Sequence, residues 1–328
     1  MSRYALNRAG ACGLSLACLV MVGAAAEPEK QEHGQTTAMQ AVRFKENPII
    51  RPEMSPSIGT NINGPSLIRV PEWIEKPLGR YYLYFAHHGG KFIRLAYADA
   101  LQGPWKIHEP GVLRLEDTAA SGHIASPDLH IDTDKREIRM YFHGPARGGQ
   151  MTFLAASKDG LKFTAGREPL GPFYFRVFRW GDCWYAVAKE GVLCRSKDGA
   201  AKFEVGPKPF HFDDPALVVR HSAVLLRGSR LWVFYSRIGD NPERILLSTI
   251  DLTPDWTAWR ATEPVTVLAP EKDYEGADLP AAPSRSGAAS APVRQLRDPA
   301  VFEESGRTYL LYSVAGESGI AVAELKAP

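Results

Sequence analysis

One short segment occurs twice in this chain. Ser157-Lys158-Asp159-Gly160 is followed by Lys162-Phe163, and Ser196-Lys197-Asp198-Gly199 is followed by Lys202-Phe203. Internal self-similarity signals a repeat architecture and constrains a fold more strongly than composition does. In both copies, Asp-Gly supplies a tight turn between two short apolar runs. A second rhyme accompanies the first: Tyr81-Tyr82-Leu83-Tyr84-Phe85, Arg139-Met140-Tyr141-Phe142, Leu231-Trp232-Val233-Phe234-Tyr235 and Tyr309-Leu310-Leu311-Tyr312. These runs are apolar on both faces, as strands in stacked sheets must be.

Around these markers the chain reads as short strands parted by turn residues, with almost no helical periodicity. Five groups are counted. Their first strands open near Ser66, Leu129, Phe173, Ala223 and Ala300, and the fourth group is expected to end on a strand over Trp256–Trp259. Four strands per group at this spacing predict an all-β, five-bladed β-propeller with four-stranded blades. The fifth group lacks a fourth strand after Leu325, so Ala41-Val42-Arg43-Phe44 is expected to close the ring as its outer strand.

The expected organisation is a signal peptide over 1–26, a disordered leader over 27–40 and the propeller over 41–328, with a long insertion over 270–295. Arg3 and Arg8 precede an apolar run ending in Ala24-Ala25-Ala26, the anatomy of a cleaved secretory signal. This predicts an exported protein, periplasmic or extracellular, without a membrane span and plausibly monomeric. The insertion, rich in Pro, Ala, Ser and Gly, reads equally as a functional lid, for which Tyr274 and Glu275 are the candidate residues, or as a plain connector.

The formal net charge of +2 carries no basic block, which argues against nucleic acid as a partner. No glycine-rich phosphate loop or His-Glu-x-x-His occurs, so no cofactor or metal is expected. Beyond the leader the cysteines are Cys183 and Cys194, either a disulfide across a hairpin or two buried thiols.

In a propeller, first-strand starts ring the central funnel. Here they supply Asn61, Asn63 and Ser66, then His123, Ser126 and Asp128, then Tyr174 and Arg176, then Arg220 and His221, then Arg297 and Asp298. A core would not gather so many titratable groups at equivalent positions, so the ring reads as a polar pocket.

The five groups, the starts Ser126-Pro127-Asp128 and Arg297-Asp298-Pro299, and the lead-in Asn47-Pro48-Ile49-Ile50 resemble the five-bladed propeller glycosidases. These comprise glycoside hydrolase family 43 and its relatives, the anhydrogalactosidases among them. The resemblance implies a carbohydrate substrate and three carboxylates: a base in blade one, a tuning aspartate in blade two, and an acid in blade three. Asp128 matches the tuning aspartate. Gly64-Pro65 stands at the base position, and Leu170-Gly171-Pro172 at the acid position.

The anhydrogalactosidases use a histidine as acid, which suggests His221 for that role. Asp128 or Asp298 would then act as base, with the other tuning the pair. Arg176 and Arg297 are expected to clamp an acidic sugar, with Asn63, His123 and Tyr174 binding substrate. A carbohydrate-binding propeller without catalysis is the rival reading, and a glycoside phosphorylase a third. His87-His88, Glu190 and Asp213-Asp214 read as rim or turn residues.

Overall fold

The computed structural model describes residues 39–326. The strands form five antiparallel sheets of four-stranded blades, and these sheets make a β-propeller. Blade one runs Asn63–Arg69, Tyr81–Ala86, Phe92–Ala98 and Lys106–Arg114. Blade two begins with Ala125–Asp132, Glu137–Ala146 and Gly149–Ser157, and two short strands share its outer edge. Blade three runs Arg176–Trp180, Cys183–Val187, Leu193–Ser196 and Glu204–Val205. Blade four runs Val218–Arg227, Arg230–Ile238, Ile245–Asp251 and Val265–Leu268. Blade five comprises Arg297–Glu304, Arg307–Ser313 and Ile320–Lys326, and Gln40–Arg43 pairs antiparallel with the last of these. The signal peptide and nearly all of the leader lie outside the described residues, although Gln40 is already strand.

The apolar residues on both strand faces are explained by packing. Five hydrophobic clusters fill the five junctions between neighbouring blades. Tyr81, Leu83 and Phe85 pack toward blade five, whereas Tyr82 and Tyr84, at alternate positions on the same strand, pack toward blade two.

The repeated Ser-Lys-Asp-Gly segment is also a blade junction. The Ser157 hydroxyl accepts the Gly160 N–H at 2.9 Å, while Asp159 Oδ1 accepts those of Leu161 at 2.8 Å and Lys162 at 3.0 Å. Gly160 and Gly199 have φ values of +75° and +69°, which a side chain would strain. Their carbonyls receive the hydroxyls of Tyr84 at 2.9 Å and Tyr141 at 2.7 Å from the preceding blade. The repeat therefore encodes a turn and its docking site together.

Two strand assignments change. Trp256–Ala258 is a 3-10 turn, because Asp255 Oδ1 captures the Thr257 N–H at 3.0 Å. The outer strand of blade four is Val265–Leu268 instead, and the tryptophans pack into the junction with blade three. Cys183 and Cys194 are free thiols: Cys194 faces Ala186 in the register, while Cys183 faces Trp180.

Candidate active site

The first strands of blades one, two and five begin with the same irregularity, a two-residue bulge ending in proline: Gly64-Pro65, Ser126-Pro127 and Asp298-Pro299. The residue before each proline has positive φ, +59°, +51° and +48° respectively, and Tyr174 of blade three has +70°. Asp298 is thus the counterpart of Ser126 and Gly64, not of Asp128. A bulge residue turns toward the axis, whereas the residue after proline turns into the blade junction.

The junction residues show this directly. Ser66 Oγ accepts the N–H of Leu129 at 3.0 Å, and Asp128 Oδ2 accepts that of Val177 at 2.8 Å, each from the next blade. His130 Nε2 holds the same Asp128 oxygen at 2.9 Å. Burial alone would raise the Asp128 pKa, but His130, Arg176 and the Val177 N–H hold it below the ordinary range. Asp128 does not line the funnel cavity.

That cavity, of about 130 Å³, is lined by Asn63, His88, His123, Ser126, His143, Gln150, Tyr174, Lys189, Arg220, His221, Asp298 and Glu317, with a few neighbours. Asn63, His123, Tyr174, His221 and Asp298 are therefore brought together as the sequence suggested. His88, Lys189 and Glu317 come instead from the connections between second and third strands, and His143 from the second strand of blade two. Among the described residues no group of three His, Cys, Asp or Glu is placed to hold a metal ion.

At the cavity floor, Asp298 Oδ1 accepts the Tyr174 hydroxyl at 2.6 Å and lies 2.6 Å from His221 Nδ1. Ser313 donates to Oδ2 at 3.2 Å. His221 Nδ1 makes no aligned hydrogen bond, so the 2.6 Å contact is a close approach to the carboxylate. Burial pushes His221 down to about 3, with Asp298 opposing, so its imidazole is neutral near neutral pH. Burial would raise Asp298, but His221, Tyr174 and Arg297 hold it well below the carboxylate range. The result is a neutral imidazole backed by a buried carboxylate.

A second histidine–carboxylate pair lies in the same cavity. Glu317 Oε2 accepts Asn61 at 2.6 Å and Asn63 at 3.1 Å, and lies 3.6 Å from His88 Nδ1. Its Oε1 accepts Arg297 Nη1 at 2.9 Å. Burial opposes its ionisation, yet His88 and Asn61 keep its pKa below normal. Glu317 sits between two strands, where no sequence pattern marked it.

The two arginines expected to clamp a sugar stand behind the cavity lining. Arg176 donates to the carbonyls of Ser222, Ser126, Pro127 and Phe175, tying three blades together. Arg297 is shared among Gln295, Glu317 and the Gly287 carbonyl. Arg220 is held by Glu243 at 2.7 Å and by the carbonyls of Arg285 and Gly287.

Those carbonyls belong to the 270–295 insertion, whose Ser286 and Gly287 line the cavity. The insertion therefore contributes to the site. Its residues Tyr274 and Glu275 do so only as an anchor. Glu275 accepts Arg43 at 2.7 and 3.0 Å, the Tyr312 hydroxyl at 2.8 Å, and the N–H groups of Glu271 and Lys272.

No family model matches the sequence. An uncharacterized protein of Acanthamoeba polyphaga mimivirus is 39% identical over 319 residues, covering 87% of this chain and 90% of its own. Among solved structures, one described as a glycoside hydrolase aligns with a TM-score of 0.60 at 14% identity, covering 90% of this chain and 93% of its own. A thermostable family-43 glycoside hydrolase gives 0.56 at 14% identity, over 81% and 88%. RS223 β-xylosidase gives 0.56 at 15% identity, over 82% and 94%. The chain belongs to one family with the mimivirus protein, and its five-bladed propeller is similar in fold to these solved glycoside hydrolases.

Proposed function

We propose that the protein is an exported glycoside hydrolase that takes the end of a glycan into its funnel and transfers protons through histidines backed by carboxylates. The observation that carries this reading is the contact of Asp298 with both Tyr174 and His221 on the cavity floor. Placed in a glycosidase-type propeller, that arrangement suits general-base chemistry. With Nδ1 turned to Asp298, Nε2 is left to take a proton from water or a hydroxyl, and the carboxylate stabilises the imidazolium that forms.

The leaving oxygen also needs a proton. Asp298 and Glu317 are unsuited to giving one, since both are held ionised by their donors. We assign that role to His88, whose half-exposed ring beside Glu317 lies at the cavity mouth, where a leaving group would depart. The small volume and the cover from Ser286 and Gly287 favour a chain end over the middle of a polymer.

The test is reducing-end release from a panel of plant and algal glycans, comparing the wild type with His221→Gln. Release by the wild type and its loss in the variant are expected. Equal release by both would overturn the assignment of His221. One observation favours a binding-only propeller: every oxygen of Asp298 and Glu317 already has a protein partner. Glycan binding by calorimetry with no release on any substrate would select that reading.

A further inference from the structure

We propose that the sugar this cavity takes carries a carboxylate, and that Lys189 is the side chain that reads it. The inference rests on the funnel being a sugar site and names the substrate class for it. It starts from an inventory of the charged groups lining the cavity. Asp298 is held by Tyr174, Ser313 and His221, and Glu317 by Asn61, Asn63 and Arg297. Arg220 spends its guanidinium on Glu243 and on two carbonyls of the insertion. Lys189 alone differs. It lines the cavity, yet its ammonium has no hydrogen bond or ion pair among the described residues.

The local backbone explains why. Lys189 opens a 3-10 turn, and its N–H is fixed to the Phe173 carbonyl at 3.1 Å. The next residue, Glu190, has φ +63° and turns its carboxylate outward to Lys208 at 2.6 Å. The nearest acidic neighbour in sequence is thus directed away from the lysine. Burial lowers the Lys189 pKa to about 8, with the Arg220 cation adding to that effect and the carboxylates of Glu243, Asp298 and Glu190 opposing it from beyond hydrogen-bond reach. A largely protonated ammonium remains at neutral pH, with no hydrogen-bonded acceptor among the described residues. An incoming carboxylate supplies the missing acceptor and relieves the repulsion from Arg220, whereas a hydroxyl supplies only a neutral acceptor.

Calorimetric titration of the full chain with galacturonate, galactose 6-sulfate and galactose tests this, in the wild type, Lys189→Gln and Lys189→Arg. Galacturonate is expected to bind at least tenfold more tightly than galactose in the wild type. Lys189→Gln removes that ratio, Lys189→Arg retains most of it, and all three proteins keep the same thermal unfolding profile. Equal affinity for the acid and the neutral sugar in the wild type overturns the inference while leaving a sugar site in place. A ratio that survives in Lys189→Gln also overturns it. Tighter binding of the sulfate ester than of galacturonate overturns the carboxylate assignment in favour of sulfated sugars. Absence of binding by any sugar overturns both this inference and the proposed function.

Discussion

The rings of Tyr174 and His221 are stacked with centroids 4.2 Å apart and planes 19° from parallel, and both side chains contact the same oxygen of Asp298. The three residues come from blades three, four and five, so the constellation exists only when those blades are docked. Tyr174 supplies an aligned hydrogen bond and a face against which the imidazole is held. That leaves His221 little freedom to turn away from the carboxylate, which is the geometry a proton-transfer group needs.

Asp298→Asn tests the carboxylate with little disturbance to the backbone. Asparagine tolerates the positive φ of +48° better than most residues, and its oxygen still accepts the Tyr174 hydroxyl. Turnover is expected to fall by about 10²–10⁴-fold, the usual range for a lost acid–base contribution. Steady-state kinetics and a thermal melt separate this from misfolding.

Asp128→Ala is expected to behave differently, because Asp128 serves a blade junction. The variant leaves the Val177 N–H without its acceptor and should cost about 1–3 kcal/mol of stability. The midpoint of denaturant unfolding should drop while turnover stays within a few-fold of the wild type. A loss of turnover as large as that of Asp298→Asn would place Asp128 in the chemistry after all.

The buried histidines predict acid sensitivity. His221 is lowered by burial from 6.5 to about 3, and His143 is also pushed well below 6.5 by burial. Between pH 6.5 and 3 the unfolded chain therefore binds more protons than the folded one at these sites, so stability rises with pH across that window. Their contribution is fully present above pH 6.5 and is lost progressively as the pH falls toward 3. Unfolding midpoints measured from pH 7.5 to 4 should decline, and His143→Phe should flatten the decline.

Glu275→Ala should release the insertion from the ring. The carboxylate is completely buried and holds Arg43, Tyr312 and two backbone N–H groups. Removing it leaves Arg43 with the exposed Glu271 and the Ala269 carbonyl alone, and takes the acceptor from the buried Tyr312 hydroxyl, a loss of about 1–3 kcal/mol. Limited proteolysis should then cut within 270–295, whereas the wild type resists at that segment. Substrate affinity should fall as well, since the same insertion carries Ser286 and Gly287 to the cavity.

The turn formed by Ser157 to Gly160 was legible because its chemistry is local: a serine, an aspartate and a glycine satisfy one another over four residues. The strand over Trp256–Trp259 misled, since aromatic residues favour strands but here Asp255 caps a tighter turn. Arg297 was recognised as part of the ring but not as an internal strut. A guanidinium's partners lie up to twenty residues away or in another blade, and no local pattern names them.

The sequence by itself determined the architecture, because alternating apolar strands and Asp-Gly turns leave few ways to bury both faces of each sheet. It also determined that polar groups would crowd the first-strand starts. Only the tertiary structure decided which of them face the cavity. Asp128 and Asp298 look alike in sequence, yet one follows its proline and the other precedes it, and that two-position difference sends one into a blade junction and the other to the cavity floor. Residues two apart in a regular strand share a face, so it is the two-residue bulge, with positive φ at its first residue, that separates a structural carboxylate from one placed for chemistry.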